Sequence, residues 1–207
     1  QEDARQQCLE ALRHYPQNAE LQFRLAIIEH QLGHLPEAVA ANVAALESAG
    51  PRQFSSVDQG VGGFKSHHNL ALVYQDLQRS DLAELHWREA LREAPHFRPA
   101  WRGLGVALLD QHKTETAEVE CERVADDSPL QPEREWLRAK LYQHRRELDQ
   151  ACQILADALE QTPDEVALHE ALARIRFERG EWAAAAQTLD SLVRLSPEDG
   201  SAYYNLG

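Results

Sequence analysis

The chain has 207 residues, 43% of them hydrophobic and 27% charged, with a formal net charge of -13. That is room for one ordinary domain or a short repeat array, with the composition of a soluble helical protein. The charge argues against DNA, RNA or an anionic membrane as the main partner, since each needs a basic surface.

No run is long and apolar enough to span a bilayer. The start, Gln1-Glu2-Asp3-Ala4-Arg5, is acidic and lacks the apolar core of a secretory leader. The sequence contains no Met, so it reads as a piece of a longer protein, and a targeting signal of the parent could have been cut away. The piece itself is expected in the cytoplasm. Basic residues are nearly all Arg, with Lys only at 65, 113 and 140. Cys8, Cys121 and Cys152 are scattered without CxxC spacing, which predicts three small buried side chains rather than a disulfide framework.

Residues 1–18 carry Ala4, Cys8, Ala11 and Pro16, the register of the second half of a repeat; the matching first helix is missing. Residues 19–52 form the first whole unit. Leu21, Leu25, Ala26 and Ile28 recur at helical spacing, Gly33 breaks the chain, and Pro36 opens a second helix where its missing N–H costs little. Residues 53–63 interrupt the period. Gly60, Gly62 and Gly63 disfavour a helix, so a loop is expected, anchored by Phe54 or Val61. No strand precedes its Gly-x-Gly, and no third spaced Gly follows, so it is not a dinucleotide fingerprint.

Four units of 34 residues then run without a slip. The unit 64–97 has Asn69-Leu70-Ala71, Tyr74, Ala83, Ala90 and Pro95. The unit 98–131 has Trp101, Leu104-Gly105, Ala107, Leu108, Ala117, Cys121, Val124 and Pro129. The unit 132–165 has Ala139, Tyr142, Ala151, Ala158 and Pro163, but Arg138 stands where Leu is usual and Trp136 falls one place late. The unit 166–199 has Leu172-Ala173, Gly180, Ala185, Leu192 and Pro197. A further unit begins at 200–207 with Ala202, Tyr203, Tyr204 and Leu206. Within each unit one helix is apolar on one face, and small residues such as Gly105 and Ala117 let an antiparallel partner come close. A single hairpin cannot bury both faces, whereas stacked hairpins can.

Trp, then Leu-Gly, a later Ala and a closing Pro at a 34-residue period resemble the tetratricopeptide repeat (TPR) pattern over nearly the whole chain. The resemblance implies an all-α fold, a right-handed superhelical solenoid of antiparallel helix pairs forming one array. First helices are expected near 19–32, 66–78, 100–112, 134–146 and 168–179. Second helices are expected near 2–14, 36–48, 81–93, 115–126, 149–161 and 183–194. Ala71, Gly105, Ala139 and Ala173 should be buried where helices cross. A narrower likeness, in Phe54-Ser55-Ser56-Val57-Asp58, Gly63-Phe64-Lys65 and His68-Asn69-Leu70-Ala71, is to segments of TPR arrays attached to bacterial family 2 glycosyltransferases. It implies a transferase domain elsewhere in the parent, not an active site here.

Motifs for chemistry are absent: there is no GxSxG, HExxH or P-loop. His30 and His34 are four apart but Gly33 places His34 in the turn, and His67 and His68 would point apart on a helix. Nothing completes a zinc set, so no metal, no cofactor and no intrinsic catalysis are expected. Trp87, Trp101 and Trp182 occupy interhelical positions and read as core. The offset of Trp136 turns it toward the concave face.

The family lines its concave face with particular first-helix positions. Carried over, these are Phe23, Arg24, Ile27 and His30; Lys65, His68, Asn69, Leu72 and Asp76; Arg102, Val106, Leu109 and Asp110; Trp136, Lys140 and His144; and Glu170, Arg174 and Phe177. The carboxylate-clamp version of the family needs an Asn where Ile27 and Leu72 stand, so a free C-terminal carboxylate is not the expected ligand, although Asn69 and Arg102 are present. The resemblance implies a protein or peptide ligand, a partly apolar peptide or helix with some acidic residues. An accessory domain of a larger enzyme and a structural or self-associating unit are the competing readings. A weak end-to-end contact through 200–207 is expected from its uncovered apolar residues.

Overall fold

The computed structural model describes residues 1–48 and 60–195. Expectations for Phe54, for residues 53–59 and for the new unit at 200–207 lie outside the described residues. The chain divides into two compact units, Gln1–Gln111 and His112–Gly207. The first holds α1 (Glu2–His14), α2 (Ala19–Gln31), α3 (Leu35–Glu47), α4 (Phe64–Asp76), α5 (Ser80–Glu93) and α6 (Arg98–Asp110). The second holds α7 (Thr114–Glu122), α8 (Gln131–His144), α9 (Leu148–Gln161), α10 (Val166–Glu178) and α11 (Trp182–Leu195). Among the described residues every regular element is an α-helix.

Local chemistry starts and stops these helices. The Asn18 side chain accepts the backbone N–H of Leu21 at 3.0 Å and caps α2. Pro36, Pro99 and Pro132 sit in the first turns of α3, α6 and α8, where no N–H is needed. The turn inside each hairpin carries one residue with positive φ. These are Gly33, Gln78, His112, Arg146 and Gly180, the last four spaced 34 apart. At Gln78, Arg146 and Gly180 two backbone bonds close the turn alike, for instance Arg146 N–H to the Gln143 carbonyl at 3.0 Å and Glu147 N–H to the Tyr142 carbonyl at 2.9 Å. This is a Schellman ending, in which a left-handed residue lets the following amides reach back to orphan carbonyls.

Within the first unit successive helices pack pairwise from α1 to α6, and α4 also touches α2 and α6. Its core holds Leu25, Ala26, Ala38, Ala45, Leu70, Ala71, Ala83, Trp87, Ala100 and Leu104. Bare Gly103 lets the Trp87 indole lie against α6; a Cβ there would come within 2.3 Å of the ring. Within the second unit successive helices pack from α7 to α11 and α8 also touches α10. Ala139, Ala151, Leu155, Leu168, Leu172 and Ile175 form its core. Ala71, Gly105, Ala139 and Ala173 are all buried, as expected.

Four details depart from the sequence reading. Helix α7 stops at Glu122, four residues short. The Arg134 guanidinium takes the Val124 carbonyl at 2.9 Å and the Asp126 carboxylate at 2.6 Å, drawing that stretch out of the helix. Helix α4 starts at Phe64, two residues earlier than expected; it follows a turn at Gly60–Gly63 in which Val61, one of the two expected anchors, is indeed buried and its carbonyl accepts the Ser66 hydroxyl. Cys8 is half-buried, at the edge of the Leu25–Ala26–Ala41 cluster, while Cys121 and Cys152 are buried and all three are free thiols. Trp182 is 61% exposed, not core. It is the first residue of α11, beyond the end of α10 at Glu178, and its ring meets only the edge of exposed Phe177 among the described aromatic rings.

Candidate functional site

First helices carry the sequence-predicted face, α2, α4 and α6 in one unit and α8 and α10 in the other. In the first unit Phe23, Ile27, Leu72, Val106 and Leu109 are all half-buried. Their outer halves leave an apolar strip unused by the core. Arg24 is exposed and paired with Glu20 at 2.5 Å. Lys65 sits 5.9 Å from the centre of the Phe64 ring, and Arg102 is half-buried. The His30 imidazole meets the Asp76 carboxylate at 2.6 Å, tying α2 to α4.

His68 and its neighbour play different parts. The His68 ring lies 5.1 Å from Trp87 and 5.2 Å from Phe97, so it packs between aromatics, and burial holds its pKa below the usual value. Asn69 is half-buried, and its amide nitrogen is covered without a hydrogen-bond partner among the described residues. His67 turns the other way. Its Nδ1 lies 3.0 Å from the Nδ1 of His86, one nitrogen donating to the other, and the Tyr74 ring stacks on His86 at 5.4 Å. Sequence reading missed this stack because its members come from separate helices.

In the second unit Trp136 is half-buried against the core cluster, with Lys140 5.8 Å over its ring. Lys140 gives a hydrogen bond to Gln143 at 3.1 Å, and Gln143 bonds Glu178 on α10. Burial first, and then the positive charge of Arg174, pull the Lys140 pKa down, against a smaller opposite pull from Glu178. Arg174 is exposed and has no ion pair among the described residues. Phe177, one turn further on, is 60% exposed and meets Trp182 edge-on at 4.6 Å. Glu170, Asp110 and His144 are exposed; the His144 ring lies 5.7 Å from that of His112.

A separate cleft of about 720 Å³ lies between α7 and α8. Arg138 lines it, at the position where Leu70, Leu104 and Leu172 are buried in other repeats. Its arginines are already engaged: Arg134 with Asp126 and Glu135, Arg138 with Glu135 at 2.8 Å, Arg145 with Glu118. Cys121, in the same wall, is pushed up to about 12 by burial and stays a thiol. The cleft is a salt-bridged seam without a ready nucleophile. Among the described residues no group of three or more His, Cys, Asp or Glu converges as a metal site, and no helix is long and apolar enough to cross a membrane.

Two family models described as tetratricopeptide repeat match the chain, one over residues 2–53 and 68–132 and the other over 144–206. No curated protein sequence matches it. Among solved structures, a thermophilic TPR protein of Thermus thermophilus superposes with a TM-score of 0.65 at 17% identity, over 91% of this chain and 97% of that one. A tetratricopeptide repeat protein from Parabacteroides merdae gives 0.64 at 20% identity, over 97% and 79%. YrrB, described as a TPR protein with an unusual peptide-binding site, gives 0.55 at 17% identity, over 95% and 96%. At these identities the likeness is one of fold.

Proposed function

Because the chain belongs to the tetratricopeptide repeat family, we propose that it is a protein-interaction scaffold that holds a partly apolar peptide or helix against its first-helix faces. One observation carries this reading. Ile27, Leu72, Val106 and Leu109 are each left half-exposed on successive first helices, with Lys65 and Arg102 alongside. A strip of apolar surface edged by cations fits a ligand with alternating apolar and acidic residues. YrrB, a structural neighbour, is itself described as having a peptide-binding site. Candidate contacts in the first unit are Phe23, Arg24, Ile27, Lys65, His68, Asn69, Leu72, Arg102, Val106 and Leu109. In the second they are Trp136, Lys140, Arg174 and Phe177.

The test is the double variant Lys65→Glu with Arg102→Glu, set against a degenerate nonapeptide library on beads and read by peptide enrichment. Enrichment over bare beads should fall about tenfold, because each reversal replaces an attraction by a repulsion. Helicity by circular dichroism should be unchanged. Full enrichment with intact helicity would move the site off this face.

A further inference from the structure

Most arginines of the second unit are matched to a carboxylate: Arg123 to Glu120, Arg134 to Asp126, Arg138 to Glu135, Arg145 to Glu118, Arg179 to Asp149 and Arg194 to Asp190. In a chain of net charge -13 such matching is the default. Lys140 and Arg174 are among the exceptions: neither has an ion pair among the described residues. They hold the same register, 34 positions apart, on α8 and α10, which pack together, and Lys140 lies over the Trp136 ring. The repulsion from Arg174 acts on Lys140 more strongly than the opposite charge of Glu178, and an arriving anion would relieve it.

The geometry supplies the rest of a recognition site. Lys140 is braced by Trp136 beneath it and Gln143 beside it, so little side-chain freedom is lost on binding. Phe177 follows Arg174 by three residues on the same helix, so both present to one side. Its ring and Trp182 form an exposed edge-to-face pair, a rigid apolar seat of the kind that anchors peptides.

We propose that Lys140 and Arg174 together receive an acidic side chain of the bound peptide, Asp or Glu, while the Phe177–Trp182 pair seats an apolar residue of the same peptide. This rests on the reading of the chain as a peptide-binding scaffold and gives that reading a named subsite. The ligand is an internal acidic residue and not a chain terminus. A peptide suits the site better than nucleic acid because an apolar seat adjoins the cation pair and the surrounding protein is acidic.

The probe is an amidated nonapeptide library, with no free C-terminal carboxylate, in pools fixed at the central position as Asp, Glu, Gln or Lys. The wild-type chain should enrich the Asp and Glu pools about tenfold over Gln, the worth of hydrogen bonds to a charged group. Lys140→Gln with Arg174→Gln should level that preference and leave general peptide retention in place. Phe177→Ala should lower retention of all pools alike. Lys140→Met, which keeps the stem over Trp136, separates lost charge from lost packing and should behave as Lys140→Gln. Peptides retained without an acidic preference, or a preference that survives the double variant, would overturn the subsite while the scaffold reading stands. No pool retained above bare beads would overturn both.

Discussion

At the scale of single residues, the informative groups are those whose protonation the packing controls. His86 is half-buried between His67 and Tyr74, and burial, helped by the nearby His67, lowers its pKa to about 4. His67 is shifted the same way by burial, against the pull of Glu93 and Glu89 and with Arg92 on the same side as burial. A histidine with a depressed folded pKa stabilises the fold fully above its unfolded value near 6.5, and that contribution is lost as pH falls toward 4. Melting temperature measured from pH 7 down to pH 4 should therefore fall more steeply for the wild type than for His86→Phe, which keeps a ring on Tyr74 but takes up no proton. Parallel curves would show that His86 titrates normally. None of this could be read from sequence. His67 was visible as a residue, but its partner lies 19 positions away on another helix.

At the scale of elements, the repeating unit is a hairpin whose turn requires a left-handed residue. Two of those turns meet the requirement with Gly33 and Gly180; Gln78 and Arg146 meet it at φ 57° and 64° with a full side chain. Left-handed backbone costs an ordinary residue roughly 1–2 kcal/mol, while glycine forfeits about 0.5–1 kcal/mol in unfolded-chain entropy. The difference favours glycine. Neither side chain is buried, so Gln78→Gly and Arg146→Gly should each stabilise by about 0.5–1 kcal/mol, seen as a higher urea midpoint at unchanged slope. A lower midpoint for both would refute the strain argument. The glycine turns were legible in the sequence, as were helix existence and the four helix-crossing positions, because period and residue size fix them. The other three turns were hidden, since nothing in Gln, His or Arg announces a left-handed backbone. Helix α7 was misjudged in length because its end is set by Arg134, a residue of the next helix. Trp182 was misplaced because repeat arithmetic gives a register but not what lies over it. The candidate face was legible as a set of positions. That Lys140 and Arg174 have no ion pair among the described residues became visible only in three dimensions.

At the scale of the whole molecule, charge dominates the solution behaviour. Short-range ion pairs such as Arg24–Glu20 and Arg194–Asp190 are exposed and worth little, while the excess of thirteen negative charges repels itself over distances that salt screens. Raising sodium chloride from about 20 mM to about 500 mM shortens the Debye length several-fold. The melting temperature should rise by about 2–4 °C, the shift expected for ~1 kcal/mol in a chain of this size. A fall would mean that the ion pairs outweigh the repulsion. The link between α2 and α4 bears on how such a chain can grow. His30 and Asp76 are 46 positions apart yet in direct contact, and α3 packs on α4. The two repeats are therefore joined by their own surfaces, whatever the length of sequence between them. Doubling a tether adds only ~0.6 kcal/mol of closure entropy. A guest domain spliced between Ser48 and Gly60 could ride on this array while leaving the registration of its helices alone.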